Sequence, residues 1–154
     1  MEFLLFLNAK EKEILDLIQK ANYKVEENTP LCLLGKQYFG FLKVNHKSIV
    51  ICTENAKIKG GLFLRKMQVN DDIEQTGIYI RRALRHESVH VAQHCNNGDI
   101  IEIDTKRKLK INPYKLKALK GSTKISGKRE HEYQAYTLED KPKLIISALK
   151  KYCL

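Results

Sequence analysis

The spacing of hydrophobic positions changes several times along the chain, and each change marks an element. Ala9 to Lys20 carries Ile14, Leu15, Leu17 and Ile18 at helical spacing, with Asn8 placed as a cap. Asn28-Thr29-Pro30 reads as a turn. Gln37 to Val44 is strand-like, with Tyr38, Phe39, Phe41 and Leu42, and His46-Lys47 marks another turn. Ser48 to Cys52 follows as a short β-branched strand, and the two runs are expected to pair as an antiparallel hairpin. Gly60-Gly61 breaks the chain, and Leu62 to Val69 reads as strand or irregular. Thr76 to Cys95 predicts one long helix, stopped by Asn96-Asn97-Gly98. Asp99 to Asp104 reads as a short strand or an extended segment. Thr105 to Arg129 is basic and poor in periodicity, with Asn112-Pro113 as a turn. Glu130 to Asp140 regains helical character. Pro142 then opens a last helix, Lys143 to Tyr152, whose apolar face is Leu144, Ile145, Ala148 and Leu149. The pattern predicts an α+β fold in a single domain over residues 1–154, with no internal repeat and no dividing linker.

Composition removes several classes. A chain of 154 residues, 43% hydrophobic, is long enough to bury a core without covalent staples. No apolar run approaches the ~20 residues that cross a bilayer, so no membrane association is expected. The apolar opening, Met1 to Leu7, is short and carries Glu2 where a secretory signal needs basic residues, so it reads as a core segment. The four cysteines, Cys32, Cys52, Cys95 and Cys153, are scattered without a C-x-x-C pair. They read as free, buried thiols of a cytoplasmic protein, not as a disulfide framework or a zinc ribbon.

The chemistry concentrates in the long helix. His86-Glu87-Ser88-Val89-His90 is an H-E-x-x-H sequence. Residues i and i+4 lie one above the other on a helix, so both imidazoles reach one metal ion while Glu87 sits nearby to polarise water. On a helical wheel Ile80, Leu84, Ser88, Val91, Ala92 and Cys95 gather on one side. His86, His90, Tyr79 and Ala83 gather on the adjacent side, with Glu87 at the border. His94 extends the series, but i and i+8 stand ~12 Å apart along a helix, too far for one ion. It reads as a helix-end histidine with at most a supporting role, and His46 reads as a turn residue without chemistry.

Catalytic zinc needs a third protein ligand and an open position. Downstream stands Glu130-His131-Glu132-Tyr133-Gln134-Ala135-Tyr136. Here the chain resembles the gluzincin branch of the zincin metallopeptidases, in which a glutamate on a later helix completes H-E-x-x-H and a small residue follows three positions on. Glu132 with Ala135 fits that pattern, and Glu132, Ala135, Tyr136 and Glu139 share one helical face. Glu130 and His131 are the competing ligands. The resemblance covers roughly residues 76–140 and extends to compact single-domain SprT-like and other small peptidase-like proteins. No H-x-x-G-x-x-H extension follows His90, which excludes a metzincin.

The resemblance implies a small antiparallel sheet beside an active-site helix and a second, ligand-bearing helix. It implies zinc on His86, His90 and Glu132, with Glu87 as general base and a protein or peptide substrate. For the oxyanion donor, Tyr136 ranks ahead of Tyr133 and His131. By the same analogy, Ser48 to Cys52 would be the edge strand that binds an extended peptide.

Charge adds an alternative. The formal net charge is +10, from 28 basic and 18 acidic side chains. Lys106 to Arg129 holds ten basic residues and no acid, which leaves the other 18 balanced against the 18 acids. The whole excess lies in the connection 105–129, between the second histidine and the proposed third ligand. Such a segment suits nucleic acid or another acidic partner. The competing expectation is therefore a nucleic-acid-binding or regulatory protein with a structural or vestigial metal site.

Overall fold

The computed structural model describes residues 1–62, 70–103 and 111–154. The ambiguous stretch 63–69 and the start of the basic connection, with Lys106, Arg107, Lys108 and Lys110, lie outside the described residues.

Among the described residues, six α-helices accompany a three-stranded sheet, so the α+β expectation holds. A 3-10 turn over Glu2–Phe6 inserts Phe3 into the core, as expected of the apolar opening. Helix α1 (Ala9–Lys20) buries Ile14, Leu17 and Ile18, although the Asn8 side chain makes no capping bond. Strand β1 (Lys24–Glu27) follows, then β2 (Gly40–Lys43) and β3 (Ser48–Ile51). Helix α2 (Thr53–Gly60) leads to the long helix α3 (Asn70–Cys95). Helices α4 (Pro113–Ser126), α5 (Arg129–Leu138) and α6 (Pro142–Cys153) complete the order.

The hairpin forms as expected, with Gly40 opposite Ile51 and Lys43 opposite Ser48. The sheet is mixed, however, not antiparallel. β1 pairs parallel with β3, from Lys24 opposite Ser48 to Glu27 opposite Ile51, giving the order β1-β3-β2. β1 has one apolar residue in four, Val25, so its sequence carries no strand signal. β3 is therefore central, and the expectation that Ser48 to Cys52 is an edge strand is wrong. All four β3 residues are buried because both faces are covered. Ile49 and Ile51 face the main core, while Val50 faces a smaller cluster with Cys32, Cys52 and Phe41.

α3 is the spine. It packs against α1, α2, α5, α6 and the sheet, and its Ile80, Leu84, Val91 and Ala92 are fully buried with Ile145 and Leu149 of α6. It starts six residues earlier than its hydrophobic pattern shows, because Asn70 to Gln75 is polar apart from Ile73. At its end Asn97 and Gly98 adopt positive φ, and the Gly98 amide bonds the Gln93 carbonyl at 3.0 Å. No strand forms over 99–103. The Gln134 side chain instead donates to the Ile101 carbonyl and accepts from its amide, at 2.8 and 3.0 Å.

Two further expectations change. The basic segment is helical over α4. Asn112-Pro113 is its cap and first residue, with Asn112 Oδ1 accepting from the Lys115 amide at 2.9 Å. Lys115 turns back to α5, where its ammonium lies 3.1 Å from Glu139 and 2.6 Å from Asp140. The cysteines are not free thiols. Cys32 is bonded to Cys52, and Cys95 to Cys153, which ties the end of α3 to the end of α6. The expectation of a reducing cytosol rested on free thiols and loses that support. Among the described residues, no helix is long and apolar enough to cross a membrane.

Candidate metal centre

The helical period places His86 and His90 on the face of α3 that meets α5, with ring centroids 5.0 Å apart. From α5, Glu132 projects between them. Its Oε2 lies 3.1 Å from His86 Nε2 and 3.3 Å from His90 Nε2. Among the described residues, these three form a cluster able to hold a metal ion, their ligand atoms all within 4.8 Å of one another. Ala135, fully buried one turn after Glu132, leaves room for α5 to approach α3. Of the competing ligands, Glu130 is exposed, and His131 Nε2 bonds the Gly98 carbonyl at 2.6 Å.

The far nitrogen of each histidine is also held. Glu139 Oε2 accepts from His86 Nδ1 at 3.0 Å, and Gln93 Oε1 accepts from His90 Nδ1 at 2.8 Å. The Gln93 amide donates to the His131 carbonyl at 3.1 Å and to Gln134 Oε1 at 3.0 Å. Such partners fix the tautomer that leaves Nε2 free as a ligand. Glu139 is itself buried among cations, with Arg82 Nε 3.7 Å away and Lys115 Nζ at 3.1 Å. Sequence reading placed Glu139 on the ligand face of α5 but assigned it no role. Gln93 and Gln134 were missed, and only the i+3 step from His90 to Gln93 hinted at the first.

The donor set fits a small divalent cation. Ligand atoms ~2.0–2.2 Å from a tetrahedral zinc stand roughly 3.3–3.6 Å apart, close to the 3.1 and 3.3 Å that separate Glu132 Oε2 from the two histidine nitrogens. His90 Nε2 is buried without a hydrogen-bond partner, which is costly unless something occupies its lone pair. Burial opposes charge on His86, but bonds to Glu132 and Glu139 outweigh it and carry its pKa up to about 10. Burial also opposes charge on Glu132, but His86 and His90 hold its carboxyl well below the usual carboxylate range.

Glu87 lies beside the cluster and is 7% exposed. Burial raises its pKa, His86 and His90 pull it down, and Glu132 and Glu139 push it up, for a net rise. It lines two cavities, of about 410 and 690 Å³, that meet at His86 and Glu87. β2, at the edge of the sheet, contributes Gly40, Phe41 and Leu42 to the smaller one. Tyr136 packs on the His86 ring at 4.4 Å, with its hydroxyl 2.5 Å from Ser122 Oγ of α4. Burial pushes that phenol above its ordinary range. His94 is half-buried and bonds the Tyr23 hydroxyl at the rim of the smaller cavity, while His46 is exposed in a turn.

Fold and site together define a mixed α+β domain with a buried His-His-Glu cluster between two helices. The chain belongs to the family described as Domain of unknown function (DUF8637), whose family model matches residues 3–154. No curated protein and no solved structure matches the chain.

Proposed function

We propose that the protein is a zinc-dependent metallopeptidase of the zincin kind, acting on protein or peptide substrates. One observation carries the reading. His86, His90 and Glu132 converge on one point, each histidine is oriented from behind, and Glu87 is left beside them facing open space. A purely structural metal site has no use for a buried carboxylate that is close by but not a ligand.

Zinc held by these three residues would supply Lewis acidity, polarising a peptide carbonyl and acidifying water. The chain's own residues do the rest. Glu87, its pKa raised, takes a proton from the attacking water and passes it to the leaving amine. Tyr136 is the oxyanion donor in this reading, a role that requires its hydroxyl to leave Ser122. β2 replaces β3 as the strand able to pair with an extended substrate, since its free edge lines the cavity.

Metal analysis after metal-sparing purification, combined with hydrolysis of an unfolded protein, tests the proposal. The expected result is one zinc per chain, lost in Glu132→Ala. Glu87→Gln should keep the zinc and lose hydrolysis by roughly 10²–10⁴-fold. Wild-type protein without stoichiometric zinc, or full hydrolysis by Glu87→Gln, would sink it.

A further inference from the structure

The two cavities that meet at Glu87 differ in chemistry. The smaller combines Phe41, Leu42 and Val44 with the carboxylates Glu87 and Glu132, and Lys128 is the one lysine among its described lining residues. The larger is ringed by cations from separate elements: Lys36 before β2, Lys59 at the end of α2, and Lys117 on α4. Among the described residues no carboxylate pairs with any of these three, whereas Lys115 beside them is held by Glu139 and Asp140. Arg82 also lines this cavity, and its Nε lacks a hydrogen-bond acceptor, the nearest carboxylate oxygens being 3.7 and 3.8 Å away. Ammonium groups placed around one concavity, without a carboxylate partner among the described residues, gain from a shared anionic occupant.

We propose that the larger cavity is a specificity site for acidic side chains, so that the substrate is a polypeptide carrying Asp or Glu on one side of the attacked bond. The occupant is called a substrate on the strength of the peptidase reading; the charge preference of the cavity stands as a separate binding property. A peptide suits the arrangement better than a nucleic-acid strand. The lysines ring one hollow, whereas the smaller cavity on the other side of Glu87 places Lys128 beside the carboxylates Glu87 and Glu132. A polyanion with a charge on every unit gains little from such a one-sided path.

Two measurements on the full chain separate the possibilities. The first uses zinc-loaded Glu87→Gln protein and fluorescent decapeptides that share an apolar half and differ in carrying two Glu or two Gln in the other half. A single-stranded 20-nucleotide DNA is the third probe. The Glu peptide should bind roughly tenfold tighter than the Gln peptide at low salt. The preference should shrink as salt rises and reverse in favour of a Lys peptide in the Lys36→Glu/Lys59→Glu/Lys117→Glu variant. Equal binding of the Glu and Gln peptides, an unchanged preference in the triple variant, or tighter binding of DNA than of the Glu peptide would each overturn the proposal. The second measurement is hydrolysis of the same peptides by wild-type protein. Cleavage without charge preference overturns the acidic specificity and leaves the peptidase standing. Selective binding without cleavage keeps the cavity's preference and overturns the peptidase.

Discussion

Glu139 accepts a hydrogen bond from His86 Nδ1 at 3.0 Å, across the interface of α3 and α5. It is 2% exposed, so its charge is tolerated only because His86, Lys115 and Arg82 surround it. The pairing aims His86 Nε2 at Glu132 and makes the imidazole a stronger ligand. Glu139→Gln keeps an acceptor but removes the charge. Zinc affinity, measured by competition with a chelating dye, should fall about 10–100-fold. Thermal melting of the metal-free variant separates this from a loss of folding. Unchanged affinity in a folded variant would remove Glu139 from the site.

The bond between Cys95 and Cys153 closes a loop across 58 positions, and the bond between Cys32 and Cys52 one across 20. On the chain-entropy model these contribute roughly 4 and 3 kcal/mol respectively. Cys153→Ser should therefore lower the melting temperature more than Cys32→Ser, as read by calorimetry. Thiol titration of the unreduced, denatured wild type should find no free thiol. Four reactive thiols would restore the reading made from the sequence.

The convergence of His86, His90 and Glu132 was legible because helix periodicity places i and i+4 together without any tertiary information, and because Glu132 lies in a short sequence that the resemblance singled out. The limits of α1, and those of α5 and α6 to within two residues, followed from the same period, with Pro142 marking the start of the last. Other features were hidden for physical reasons. β1 is a polar edge strand whose pairing is set by β3, not by its own residues. α4 carries few apolar positions because, among the described residues, it packs mainly on α5 through Leu119, so charge obscured its capping signals. The cysteine pairs join residues distant in sequence, and spacing carries no record of them.

Glu27 carries a prediction about acid stability. Its carboxylate accepts from the Glu2 and Phe3 amides at 3.0 and 2.7 Å and from Thr53 Oγ1 at 2.6 Å, which holds Phe3 in the core. Burial works against its charge, but the bonds from Thr53, Phe3 and Glu2 outweigh it and lower its pKa below the ordinary value. A carboxyl with a lowered folded-state pKa stabilises fully above its unfolded pKa of ~4.3, and this stability is lost as pH falls through the folded value. Stability measured by urea unfolding should therefore decline below about pH 4.5 in wild type. Glu27→Gln should be less stable at neutral pH and show a flatter decline. Parallel pH profiles for the two proteins would rule the role out.

Gly40 sets how closely the sheet approaches Glu87, the proposed general base. A Cβ at this position would stand 3.1 Å from Glu87 Cγ, 3.3 Å from the Val50 carbonyl oxygen and 3.4 Å from Ala83 Cβ. Val50 is fixed in the central strand and Ala83 in α3, so the side chain able to yield is Glu87. Its displacement by a few tenths of an ångström misaligns a proton acceptor without touching His86, His90 or Glu132. A misplacement of about 1 Å costs on the order of 10²-fold in rate, so Gly40→Ala should lower kcat roughly 3–10-fold. Zinc content and the melting temperature should stay near wild type, because no ligand moves and the added methyl sits at the cavity wall. Metal analysis, melting and hydrolysis rates on one preparation check the three together. Loss of zinc with loss of rate would show that the strand supports the ligands, not Glu87. A wild-type kcat would show that Glu87 tolerates the shift and that its alignment is set elsewhere.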